Sequence, residues 1–440
     1  MLLLILSVLS ANSATSFAQN YHWIRTFNYL TPCVAFNPLS KGKVVFTATP
    51  DTIGVFRSDD GAMTWQWYGV GLNPFASADI NQIFCLPSDT NVVIGVGKSQ
   101  VFRSTDGGHS WAVVLDPGGI EGEDVAYYAP TNAIYYGENF KGPTWRSLDS
   151  GKSWQVTGQI DTNVGLCTLA ISQDNEHVLL AGSADGVIAK STNEGGHWDI
   201  VYPAERDTNT VHQPEIPKII YSDWANGVAV ATRWHSVKHS MVETTNHGTS
   251  WQFLSSPEYH VWSLEIDQKA ALVVAGRPTH LWTGLFLQML PDTTAGGMIE
   301  ESTDGGVSWH ATEFPKSAGV HDVYMLKADT SSDALVAATD HGIFVGRMPS
   351  EVRRNREPVR DAIQISQNPA TSVTHLSWPG LGESVVCVND EVGRVIFQST
   401  VSANSLDLHL ASFPVGPYFI YIKNNRSNVL LPGRLYKAAE

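Results

Sequence analysis

The segment FRSTDGGHSW, Phe102 to Trp111, returns along the chain with its hydroxyl residue, acid, glycine and tryptophan at fixed offsets. The copies are SDDGAMTW from Ser58, STDGGHSW from Ser104, SLDSGKSW from Ser147, STNEGGHW from Ser191, TTNHGTSW from Thr244 and STDGGVSW from Ser302. Their spacing of 43 to 58 residues is that of a repeat built from one supersecondary unit, so the fold is an array rather than an irregular globule.

Each copy follows apolar, β-rich runs such as VVFTATPDTIGVFRS and VLLAGSADGVIAKS and precedes another, such as SWQVTG or HWDIVY. A unit is therefore four short strands, with the motif in the hairpin between the third and fourth. There Asp or Asn bonds the backbone two residues on, the Ser or Thr hydroxyl does likewise, and Gly supplies a left-handed angle. The tryptophan buries a large ring against its own sheet.

These residues match the Asp-box, or BNR repeat, Ser/Thr-x-Asp-x-Gly-x-x-Trp. The chain resembles the Asp-box propellers of the sialidase-like and photosystem II assembly factor-like superfamily. The matching positions are Ser58, Asp60 and Trp65; Ser104, Asp106, Gly108 and Trp111; Ser147, Asp149, Gly151 and Trp154; Ser191, Asn193, Gly195 and Trp198; Thr244, Asn246, Gly248 and Trp251; Ser302, Asp304, Gly306 and Trp309. All are read as structural. Asn193 and Asn246 replace Asp, and Ala62 stands where Gly is expected, with Gly61 shifted by one.

A further unit, His321 to Met348, has three strand-like runs and no motif. YHWIRTF, Tyr21 to Phe27, looks like the fourth strands HWDIVYP and SWQVTGQ and is the expected donor of the missing one. That pairing closes the ring and removes a sheet edge. The expected fold is all-β: a seven-bladed β-propeller followed by a small β-sandwich domain.

The first residues, MLLLILSVLSANSATSFAQ, are an apolar run ending in small residues, with Ser16 and Ala18 placed for cleavage before Gln19. Residues 1–18 are read as a secretory signal peptide, and no other run is long and apolar enough for a membrane helix. Cys33, Cys85, Cys167 and Cys387 lie in strand-like runs and are expected to be buried thiols, not a disulfide framework. With 28 Lys plus Arg against 43 Asp plus Glu, the net charge of -15 argues against nucleic acid or an anionic membrane as partner.

The propeller is expected over 19–348, an Arg/Pro-rich linker with Arg353, Arg354, Arg356 and Arg360 over 349–361, and a different β domain over 362–440. This last region resembles the type A sorting domain of the type IX secretion system. The resemblance rests on Asn368-Pro369, Asp390, Gly393-Arg394, Leu406 to Leu410, Gly416 with Tyr418-Phe419, and Tyr436-Lys437. It implies an export address recognised by outer-membrane machinery and a secreted or cell-surface location via the periplasm; a monomer is expected.

In a four-stranded blade the loops joining strand two to three, and strand four to the next blade, open on one face. Three long insertions belong to that face, 204–217, 233–241 and 277–297. They bring together Arg233, Trp234, His235, His239, Arg277, His280 and Trp282, with His260 close by. Aromatic and cationic groups suit stacking on sugar rings or pairing with a carboxylate or phosphate. No histidine spacing matches a metal site and no cofactor is expected.

Two functions compete. One is a noncatalytic, exported propeller binding a glycan or an envelope protein. The other is a glycoside hydrolase, sialidase-like or xyloglucanase-like, needing two carboxyl groups about 5–10 Å apart. Glu121, Glu123, Asp124 and Glu138 lie on the insertion face and are its candidates. Arg57, Arg103 and Arg146 each precede a motif and so sit on the opposite face.

Overall fold

The computed structural model describes residues 21–438, apart from 51–53, 73–79, 119–121, 140–141, 161–164, 176, 204–214, 222–226, 234–239, 254–260, 262, 268–271, 277–279, 284–287, 292–298, 303–309, 312–313, 316–319, 321–322, 330–333, 348–362, 367–369, 379–382, 390–394 and 425–429. Residues 1–18, expected to be a signal peptide, the expected linker over 349–361, and Asp304, Gly306 and Trp309 of the last repeat lie outside the described residues, which are all-β with no helix.

Six antiparallel four-stranded sheets follow one another over 34–67, 80–115, 122–159, 166–202, 219–253 and 263–311. A further sheet sets Val323–Asp329, Ala334–Thr339 and Gly342–Arg347 beside the N-terminal strand His22–Arg25, with Trp23 opposite Gly346. The first strand of each sheet touches that of the next, and Val323–Asp329 touches both Ser263–Asp267 and Val34–Phe36. The sheets thus close into a β-propeller. Second strands such as Val45–Thr49, Val93–Gly97, Ala133–Glu138 and Leu179–Ser183 are buried along their whole length, whereas the outermost strand Gln66–Trp67 is exposed. Apolar side chains between adjacent sheets supply the main stabilisation, at about 25 cal/mol for each Å² withdrawn from water.

The repeated turn is a closed hydrogen-bond circuit. Ser104 Oγ donates to Asp106 Oδ1 at 2.8 Å and accepts from Gly108 N at 2.8 Å, while Asp106 accepts Ser110 N at 2.8 Å and Ser110 Oγ at 2.6 Å. The copies at Ser58/Asp60 and Ser147/Asp149 repeat it bond for bond. Asn246 keeps the backbone bond from Ser250 N at 2.9 Å but reverses the other, its Nδ2 donating to Ser250 Oγ at 2.9 Å. Asn193 accepts His197 N at 2.8 Å. Trp111 and Trp198 are buried, and their indole N–H groups donate to Tyr68 O and Gly195 O.

Burial disfavours charge on Asp60, Asp106 and Asp149, but the Ser, Thr and backbone donors outweigh it and hold each carboxyl at about 2 against an ordinary 3.8. A carboxyl depressed in the folded state contributes stability above its unfolded value and loses it as pH falls through the folded one. The triple variant D60N/D106N/D149N should therefore lose less melting temperature than the wild type between about pH 4 and pH 2. Equal losses would contradict this origin of acid sensitivity.

At the first four motif turns the residue before the turn ties neighbouring sheets together. Arg57 Nη1 donates to Gly107 O and Arg103 Nε to Ser150 O, both at 2.8 Å; Arg146 pairs with Glu194, and Lys190 Nζ donates to Thr249 Oγ1 at 2.9 Å. The three arginines thus stand on the hairpin side of the ring, each holding the next turn.

Beyond the propeller, Gln364–Ile365, Val373–Ser377 and Ser405–His409 form one sheet; Ser384–Asn389, Val395–Val401, Gly416–Asn424 and Leu430–Lys437 form another. Leu376 and Leu408 of the first and Val386, Val388, Ile420 and Ile422 of the second share one buried cluster. Asn368-Pro369, Asp390 and Gly393-Arg394 lie outside the described residues.

Candidate functional site

Side chains of several sheets meet at the insertion-face end of the ring lumen. Four first strands carry a register shift near their starts, at Ile80/Gln82, Gly122/Asp124, Leu166/Thr168 and Val323/Met325. A bulge re-aims the residue that follows it. Lys218, whose carbonyl accepts Thr232 N, takes the corresponding station in the fifth sheet.

Asp124 is the hub. Its Oδ1 accepts Gln82 Nε2 at 2.7 Å; its Oδ2 accepts Thr168 Oγ1 at 2.8 Å and Leu169 N at 3.1 Å, and lies 3.4 Å from Lys218 Nζ. One carboxylate, 5% exposed, thus holds the second to fifth sheets together. Further round the lumen Lys327 Nζ lies 2.8 Å from Glu265 Oε2. Burial works against charge on Lys327, yet Glu265 and, more weakly, Asp124 outweigh it and raise its pKa.

The other expected acids divide. Glu138, at the end of its strand, is buried and takes the indole N–H of Trp145; burial raises its pKa against that bond. Glu121 lies outside the described residues, and Glu123 belongs to the strand Gly122–Tyr128. Glu215, which the sequence did not single out, is half-buried ahead of Lys218 and is raised by burial to about 7. Gln82, Thr168, Lys218, Glu265 and Lys327 were also missed. Their one sequence signal is a polar residue just before or within an apolar inner strand: Q-IFC, D-VAY, T-LAI, K-IIY.

Of the expected ligand-facing cluster, Arg233 is 3% exposed, its guanidinium 5.8 Å from the Tyr202 ring centre and 5.3 Å from that of Phe253. It is an interior cation between two aromatic rings. His280 and Trp282 lie on His280–Thr283, which pairs with Gln288–Pro291 as a two-stranded ribbon between the second and third strands of the sixth sheet. Trp234, His235, His239, His260 and Arg277 lie outside the described residues. Among the described residues no group of three or more His, Cys, Asp or Glu is placed to hold a metal.

All four cysteines are free. Cys33 and Cys85 are buried, burial pushing Cys33 up to about 12 and Cys85 up as well; Cys167 and Cys387 are only half-buried, contrary to expectation. Their alternating strand positions open partly to the surface.

No family model and no curated protein matches the sequence. Solved structures do. YCF48 bound to a D1 peptide superposes with TM-score 0.55 at 16% identity, over 75% of this chain and 97% of its own. A GH74 xyloglucanase from Xanthomonas campestris gives 0.54 at 15%, over 81% of this chain and 59% of its own. A GH74 enzyme from Niastella koreensis gives 0.55 at 11%, over 96% and 75%. This chain therefore spans less than two thirds of the Xanthomonas enzyme. At these identities the likeness is one of fold, and the fold is the β-propeller.

Proposed function

We propose that this chain is an exported, noncatalytic recognition protein. It is a seven-bladed Asp-box propeller whose insertion face binds a glycan or an envelope protein, followed by a β-sandwich that is its type IX export address. One observation carries the noncatalytic reading. Three carboxylates of the insertion-face end are engaged by protein donors, Asp124 by five, Glu138 by Trp145 and Glu265 by Lys327, which leaves Glu215 as the exception among the acids described above. Glycoside hydrolysis needs two carboxyl groups open to substrate. The cyclic contact of first strands supports the blade count, and the turn circuit supports the Asp-box assignment. A peptide-bound propeller of the same fold makes a protein ligand as reasonable as a glycan.

The hydrolase reading keeps one observation in its favour. Glu215, raised to about 7, titrates where a general acid operates. The test is a glycan and peptide binding screen of the full chain, with product release assayed in parallel. The proposal expects binding without turnover, weakened about tenfold or more by W234A/W282A. Turnover abolished by Glu215→Gln would overturn it in favour of the hydrolase.

A further inference from the structure

On the opposite, hairpin face, the seam that closes the ring differs from the four seams described above. At the seams already described, a cation from one sheet ends on an acceptor in the next turn. Arg347, at the end of Gly342–Arg347, reaches the same station beside Gly61 of the first turn, where an added Cβ would lie 3.4 Å from its Nη2. Among the described residues its guanidinium has no acceptor. In place of one stands an open cavity of about 400 Å³ lined by Lys41, Gly42, Lys43, Asp59, Asp60, Gly61 and Arg347.

The charges around this cavity are unevenly satisfied. Asp59 is held by Arg57 at 2.6 Å, and Asp60 is taken up by Ser58, Met63 and Thr64 of its own turn. Lys41, Lys43 and Arg347 have no carboxylate partner among the described residues. Three cations with no ion-pair partner line one space against the two carboxylates of Asp59 and Asp60, a local excess of one positive charge on a chain whose net charge of -15 gives anions no general attraction. Binding here needs local geometry, not bulk charge.

We propose that the closing seam is an oxyanion site, taking a sulfate or phosphate ester group between Lys41, Lys43 and Arg347. The group supplies the acceptor that Arg347 lacks and joins the closing sheet to the first turn. Guanidinium and ammonium donors from separate segments suit an anion with several oxygens. The cavity is roomier than a bare oxyanion and leaves space for the sugar or other carrier that bears it. The site stands on the face opposite the insertions and does not depend on the recognition reading.

The experiment uses the full chain at constant ionic strength, with glucose 6-sulfate, glucose 6-phosphate and glucose as probes, followed by calorimetric titration and melting temperature. A ligand that binds only the folded state raises the melting temperature in a saturating manner. The proposal expects saturable binding of one or both esters and none of glucose, with affinity falling at least tenfold in K41Q/K43Q and in R347Q. The exposed-lysine variant keeps part of the alkyl stems, and its unliganded melting temperature reports that it is folded. Comparing the two esters identifies which source of oxyanion the seam prefers. W234A/W282A should bind the esters as the wild type does. Identical responses in the wild type and K41Q/K43Q, or a response to the two esters that never saturates, would overturn the site, since unsaturable stabilisation is a general salt effect.

Discussion

Replacing Asp124 by alanine should destabilise the propeller by about 3–5 kcal/mol, read as a fall in the denaturation midpoint. The figure follows from what is left behind. Gln82 Nε2, Thr168 Oγ1 and Leu169 N lose their acceptor inside the ring, and Lys218 loses its counter-charge. An orphaned buried donor costs about 1–3 kcal/mol, more where a charge is involved. The double variant D124A/K218M should recover part of the loss, because it removes the uncompensated ammonium together with its partner. A loss below about 1 kcal/mol for D124A, within the range of an exposed ion pair, would mean that water satisfies these groups and the hub is dispensable.

Gly108→Ala should cost about 2–4 kcal/mol for two separable reasons. The residue has φ of 91°, and the added methyl would lie 2.6 Å from Phe46 Cε1 of the preceding sheet. Gly151 meets Ile94 Cδ1 at the same 2.6 Å. The exception is Ala62, with φ of 67°, fully buried in a cluster with Val336. Val336 holds the station filled by Phe46 and Ile94 elsewhere, and its smaller side chain leaves room for a methyl. G108A/F46V should therefore be more stable than the sum of its single variants predicts, since the second substitution removes the clash and leaves only backbone strain. Strict additivity would assign the whole cost to φ.

These two sites also mark how far the sequence could be read. The turns were legible because their bonds run between residues two to four positions apart, so hydroxyl, acid and glycine must recur at fixed offsets. The role of Tyr21 to Phe27 was legible for a related reason: a fourth strand was missing from one unit, and one unpaired run carried the tryptophan pattern. Asp124 was visible only as one acid among four on a face. Its partners arrive from three other sheets, and no local spacing records that meeting. The burial of Arg233 was not legible for the converse reason. Its neighbours in sequence are loop-like, yet Tyr202 and Phe253, from the ends of two outer strands, enclose its guanidinium. The ribbon at His280–Thr283 was read as a loop because the run HLWTGLFLQMLP, though it carries Gly284 between its two halves, shows no alternation of apolar and polar residues.

The division of labour between the two faces is most directly tested by hydrogen–deuterium exchange of the full chain with a ligand recovered from the binding screen. The account predicts protection over 204–217, 233–241 and 277–297, with the turns beginning at Ser58, Ser104, Ser147 and Ser191 unchanged. Protection centred on those turns, with the insertions unaffected, would contradict it and move recognition to the hairpin face.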